Sequence, residues 1–108
     1  MRDIKKLEWH RYVPRWDGND KEENPISLEI HPLSLIELTK YGQIKINEME
    51  LGKKMFLDNV KNITNLKCNG KEVTKSEELW DIGILALINE ITQAILDISK
   101  LQDDEKKT

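Results

Sequence analysis

Hydrophobic positions along the chain follow two periods. Residues 26–31 alternate, with Ile26, Leu28 and Ile30 on one parity and Ser27, Glu29 and His31 on the other. A period of two predicts a half-buried strand. Pro25 and Pro32 bracket it. A proline at a strand end lacks the ladder donor, which predicts a short or edge strand. Residues 63–73 (ITNLKCNGKEV) contain Asn69-Gly70, the pair favoured in a two-residue type I′ turn. Leu66 and Cys68 precede that turn and Val73 follows it, so a small β-hairpin is predicted. An isolated two-stranded hairpin is marginal in water, so it must pack on helices or join the 26–31 strand.

Helical spacing governs most of the remainder. Ser34 and Glu37 have the spacing of a capping box, and Leu35, Ile36, Leu38 and Tyr41 give the helix behind it an apolar face. Residues 43–52 predict a weak helix or a linker. Residues 53–62 predict a helix with Met55, Phe56 and Val60 on one face, and Gly52 a break ahead of it. Thr74 and Glu77 form a second capping box before a short turn at 75–80.

Asp81 is then placed to cap the longest helix, 82–101. One seam of that helix is Ile84, Leu87, Ile91, Ala94, Ile98 and Leu101; a second is Leu85, Ile88, Ile95 and Leu96. A helix apolar on two sides is covered by more than one neighbour. The second neighbour is either the rest of a monomer core or another protein helix. The expected fold class is mainly α (α+β): a helical domain with a short N-terminal strand, a small β-hairpin and a long C-terminal helix.

The first 24 residues follow neither period. Residues 1–16 hold five arginines and lysines against two acids, and Trp9, His10, Tyr12 and Trp16 lie among them. Residues 17–24 (DGNDKEEN) hold four acids against one lysine, and Asp17-Gly18-Asn19-Asp20 is turn chemistry. Such a basic-aromatic arm supports two readings. Its rings stack on single-stranded bases, or they fold back as lids on a small core while the arginines and lysines snorkel. The second is favoured, because two tryptophans in water make a poor surface. The expected organisation is an irregular arm and acidic turn at 1–24, one helical domain at 25–101 and a fraying polar tail at 102–108.

A chain of 108 residues has room for one domain with a modest core. Charged residues make up 34% and apolar ones 38%. No apolar run approaches the length of a membrane span, and the N-terminus leads into no apolar signal region. The single cysteine, Cys68, excludes an internal disulfide, so a reduced, cytoplasmic setting is expected. A net charge of −3 argues against nucleic acid as the main partner.

Candidate chemistry is sparse. His10 and His31 are the two histidines, with neither His-x3-His nor Cys-x2-Cys spacing for a metal. A Cys68–His31 nucleophile pair competes with the ordinary role of a cysteine on an inward strand position, a small buried hydrophobe. The carboxylates cluster in turns and tails as solvated runs, and the glycines never gather into a phosphate loop. No enzyme activity, cofactor or metal is expected.

Several stretches together resemble small proteins from the tail gene clusters of long-tailed bacteriophages and prophages. The chief one runs from Phe56, Val60 and Asn62 through Asn65-Leu66-Lys67-Cys68-Asn69-Gly70-Lys71-Glu72-Val73-Thr74 to Glu77-Glu78-Leu79-Trp80. It continues into the helix with Glu90-Ile91 and Ile98-Ser99-Lys100-Leu101. This pattern is similar to the second half of phage tail assembly chaperones. Upstream, Ile30-His31-Pro32-Leu33-Ser34 is similar to their strand-to-helix opening. The Trp-rich arm and residues 43–52 depart from it.

The resemblance implies a non-enzymatic assembly factor that binds the helical, aggregation-prone tape measure protein before the tail tube forms; self-association through the C-terminal helix is the alternative that its second apolar seam leaves open. It carries over a surface: Ile84, Leu87, Ile91, Ala94, Ile98 and Leu101, with Leu35 and Leu38 on the earlier helix. A structural tail or head-tail component, and a small nucleic-acid-binding or regulatory module using Arg11, Arg15, Trp9 and Trp16, are the alternatives.

Overall fold

The computed structural model describes residues 1, 8–34 and 48–107, with side-chain surroundings defined for 1, 8–34 and 50–99. The helix expected after Ser34, with Leu35 and Leu38, lies outside the described residues.

Alternation at Leu28 and Ile30 sets the centre of the fold. Three strands, β1 (His10–Tyr12), β2 (Ser27–Ile30) and β3 (Val60–Thr64), form an antiparallel sheet with β2 in the middle. The strand expected at 26–31 is present, but it is central rather than an edge. Pro25 and Pro32 fall outside the paired span, so neither removes a ladder bond. On one side His10, Arg11 and Tyr12 stand opposite Ile30, Glu29 and Leu28. The arm is therefore not irregular throughout: its aromatic stretch supplies an edge strand.

Behind the arm, buried Asn19 ties the acidic turn down. Its Nδ2 donates to the carbonyls of Pro14 (2.7 Å) and Ile26 (3.0 Å), and its Oδ1 accepts from Ile26 N (2.7 Å). Asp17 and Gly18, at φ 50° and 74°, take the left-handed conformations that this turn needs.

On its other side β2 pairs with β3. Helix α1 (Glu48–Asn59) runs straight into β3 with no loop. The helix expected over 53–62 thus stops at Asn59, and Val60 is the first residue of a strand. Two forces meet there. Val60 and Lys61 pair with Ile30 and Glu29, and β-branched Val60 gains little from a helical turn. Asn59 closes the helix by donating its Nδ2 to Met55 O (2.8 Å), while His31 N donates to Asn59 O (3.1 Å).

The ladder then shifts by one residue on β3. Ser27 faces Thr64 and Glu29 faces Lys61, and Asn62 in between adopts φ 52°. That is a bulge built on a left-handed asparagine, the non-glycine residue that tolerates the region best. Gly52, expected as a break, lies inside α1.

The Asn69-Gly70 hairpin is present as β4 (Lys67–Cys68) and β5 (Lys71–Glu72), shorter than the sequence implies. Its turn residues take φ 51° and 82°, the signs of a type I′ turn. It forms its own two-stranded sheet, because residues 63 and 64 are committed to β3.

Next comes α2 (Ser76–Ile82), whose Glu78 Oε1 accepts from Lys75 N (3.2 Å). The reciprocal bond expected of Thr74 and Glu77 moves one residue on, and only its carboxylate half survives, since a lysine side chain has no acceptor. Gly83, at φ 75°, ends α2, and α3 (Leu85–Lys107) follows. The helix expected to begin at 82 behind an Asp81 cap is therefore two helices, with Asp81 inside the first.

The core joins the sheet to α1, α2 and α3. Leu28 and Ile30 of β2 meet Phe56 of α1, Val60 and Ile63 of β3, Leu79 of α2, and Leu87, Ile91 and Ile95 of α3. Each fully buried aliphatic side chain contributes roughly 1.5–3 kcal/mol. Since β2 and β3 supply a large part of this cluster, mainly α is corrected to α+β, with sheet and helices sharing one core.

Candidate functional site

Helix α3 buries one stripe and leaves a groove along each flank. Leu87, Ile88, Ile91, Ile95 and Ser99 form the buried stripe. Ser99 Oγ donates to Ile95 O (2.7 Å) and accepts from Leu33 N (2.8 Å), which pins the helix to the segment after β2.

The first groove lies between α3 and β1. One oxygen of Glu90 holds the two together, accepting from Tyr12 Oη at 2.6 Å and from Arg15 N at 2.7 Å. Burial, and then the Glu90 carboxylate beside it, push the Tyr12 phenol well above the usual tyrosine range. The phenol is thereby held as a donor. The groove has a volume of about 680 Å³, with His10, Arg11 and Arg15 on the arm side and Ala94, Asp97 and Ile98 on the helix side.

The second groove, of about 500 Å³, lies on the opposite flank near the start of α3, between Gly52, Trp80, Leu85, Ile88 and Thr92. Trp80 is tilted onto buried Phe56, with ring centroids 5.5 Å apart. Leu85 stands beside it with 70% of its surface exposed. An exposed leucine alone needs no explanation, but one next to a half-exposed tryptophan marks a contiguous apolar patch.

The candidate surface residues divide accordingly. Leu87 and Ile91 have no exposed surface and are filled by the chain's own core. Ile84, Ala94 and Ile98 are half-buried at the margin of that core, and Ala94 and Ile98 line the first groove. Leu101 lies on α3 beyond the residues whose side chains are described, and Leu35 and Leu38 are outside the described residues.

The arm and the long helix, separate features in the sequence, therefore meet in one groove. The pairing of Tyr12 with Glu90 was not expected. Glu90, like Asp97 an acid between the apolar seams, carries no local signal of it, because both of its donors come from the other end of the chain.

The remaining candidates are engaged elsewhere. Trp9 meets His31 edge-on, at 5.2 Å between centroids, and Lys61 Nζ sits 4.2 Å from the Trp9 ring centroid. Trp16 packs against the core. His31 Nδ1 is 2.7 Å from Pro32 O, and Cys68 is half-buried against the core from the hairpin. Among the described residues no cluster of three or more His, Cys, Asp or Glu side chains could hold a metal ion, and no helix is long and apolar enough to cross a membrane.

No known protein family, curated protein or solved structure matches the chain.

Proposed function

We propose that this chain is a non-enzymatic assembly factor, a phage tail assembly chaperone that shields the tape measure protein during tail morphogenesis. The supporting observation is the Trp80–Leu85 groove: an apolar surface on the longest helix that the described residues leave open. Such a surface suits the apolar stripe of a partner helix, docked as a helix in a groove. The name of the partner class comes from the sequence resemblance; the groove supplies the means of contact.

The tryptophans of the arm contribute to the body rather than to a free surface. Trp9 and Trp16 pack on the fold, which favours protein binding over base stacking. Affinity-tagged chain, expressed with its native gene neighbours, is expected to co-purify with a long helical tail protein identified by mass spectrometry. Recovery of the chain alone, or with nucleic acid removable by nuclease, would reject the reading.

A further inference from the structure

The sheet has an open edge beside a groove. β1 pairs with β2 on its inner side, and among the described residues no strand lies on its outer side. An edge strand presents unpaired backbone donors and acceptors along that side. The groove between β1 and α3 is lined by all three β1 residues; on the facing wall Ala94 and Ile98 alternate with Gln93 and Asp97, and Glu90 is engaged by Tyr12 and Arg15 N. From this we propose that the β1 edge takes an extended peptide of apolar–acidic–apolar sequence as a fourth strand, laid between β1 and α3.

The alternation follows from register. Residues directly opposite in a ladder share a face. His10 and Tyr12 stand opposite Ile30 and Leu28, so they point to the core side, where α3 lies; Arg11 stands opposite Glu29 and points to the other. A strand added outside β1 meets the same three side chains. Its positions beside His10 and Tyr12 face Ala94 and Ile98 and are apolar. Its position beside Arg11 is acidic, because Arg11 is exposed and makes no ion pair among the described residues. β2 presents the same alternation to β1, Leu28-Glu29-Ile30, but the Glu29 carboxylate accepts from Asn62 Nδ2 and leaves Arg11 without an ion pair among the described residues. Pro14 follows β1 closely and limits the added strand to a short segment. This site is on the other flank of α3 from the Trp80–Leu85 groove, so it stands or falls independently of the helical partner.

The test uses the full chain and labelled acetyl-Ser-Val-Glu-Val-Ser-amide, followed by fluorescence anisotropy and amide chemical shifts. Binding is expected to shift His10–Tyr12 and residues 93–98. Arg11→Glu, at an exposed position, is expected to keep the circular dichroism spectrum and weaken binding by about two- to fivefold, the size of a cross-strand charge pair. The matching peptide with lysine at its centre should then bind the variant better than the wild type. N-methylation at alternate amides divides the peptide's two edges: one set is expected to abolish binding and the other to leave it. Equal effects of the two sets, shifts confined to Trp80 and Leu85, displacement of the peptide by oligo(dT), or no binding at millimolar peptide would each overturn the proposal.

Discussion

Tyr12 donates its hydroxyl to Glu90 across 78 positions of sequence, at 2.6 Å. With Arg15 N on the same oxygen, this bond fastens the arm to the longest helix and forms one end of the groove between them. Tyr12→Phe removes one of the two donors and is expected to destabilise the fold by about 1 kcal/mol, read from denaturant midpoints. Arg15 N remains, so the loss should stay below that of Glu90→Ala, which frees both donors.

The same phenol gives a pH dependence with a defined sign. Burial and the Glu90 carboxylate raise the folded-state pKa above the unfolded value. The folded chain therefore keeps a proton that the unfolded chain releases. Stability is expected to be unaffected by this group below the ordinary tyrosine range, about pH 10, and to fall as pH rises above it. Melting curves between pH 8 and 11 should show that decline in the wild type and a smaller one in Tyr12→Phe.

Asn19 serves as a three-bond knot for the arm, buried to 3% of its free surface. Asn19→Ala leaves Ile26 N and two carbonyls without their partner and is expected to cost about 2–3 kcal/mol. Chemical denaturation measures this directly. A loss under about 0.5 kcal/mol would show that water replaces the side chain at little cost.

At the hairpin, Gly70 has φ 82° and open space where a Cβ would stand. Gly70→Val therefore tests backbone strain without a clash, and is expected to destabilise by about 1–2 kcal/mol. An unchanged melting temperature would count against the type I′ turn.

The legible parts of this fold are those where one local signal acts alone. Asn69-Gly70 specified its turn, and Ile26-Leu28-Ile30 their strand, because each pattern has few competing solutions. Val60 misled because its spacing from Met55 and Phe56 fits a helix, whereas its pairing with Ile30 across the sheet is non-local. Gly83 falls at the second position of the expected 82–101 helix, and only its positive φ shows it to be the end of one. Of the candidate surface, Leu87 and Ile91 carried the same periodic signal as Ala94 and Ile98. Periodicity reports that a side chain is covered, but not whether its own chain or a partner covers it. Glu90 was invisible as a site residue because its partners are a tyrosine and a backbone amide from the far end of the chain.

The central claim is that α3 has a face meant for another protein, and one pair of substitutions tests it most directly. Leu85→Asp places a charge at a position 70% exposed, and Ile91→Asp places one where no surface is exposed. Circular dichroism and co-purification with the native gene neighbours should be measured on the same preparations. The expected result is that Ile91→Asp unfolds the chain, since an unpaired buried charge is strongly destabilising. Leu85→Asp should keep the wild-type spectrum and lose the tail protein that the wild type retains. A folded Leu85→Asp that still carries that partner in full, or a wild type that carries none, would contradict the account.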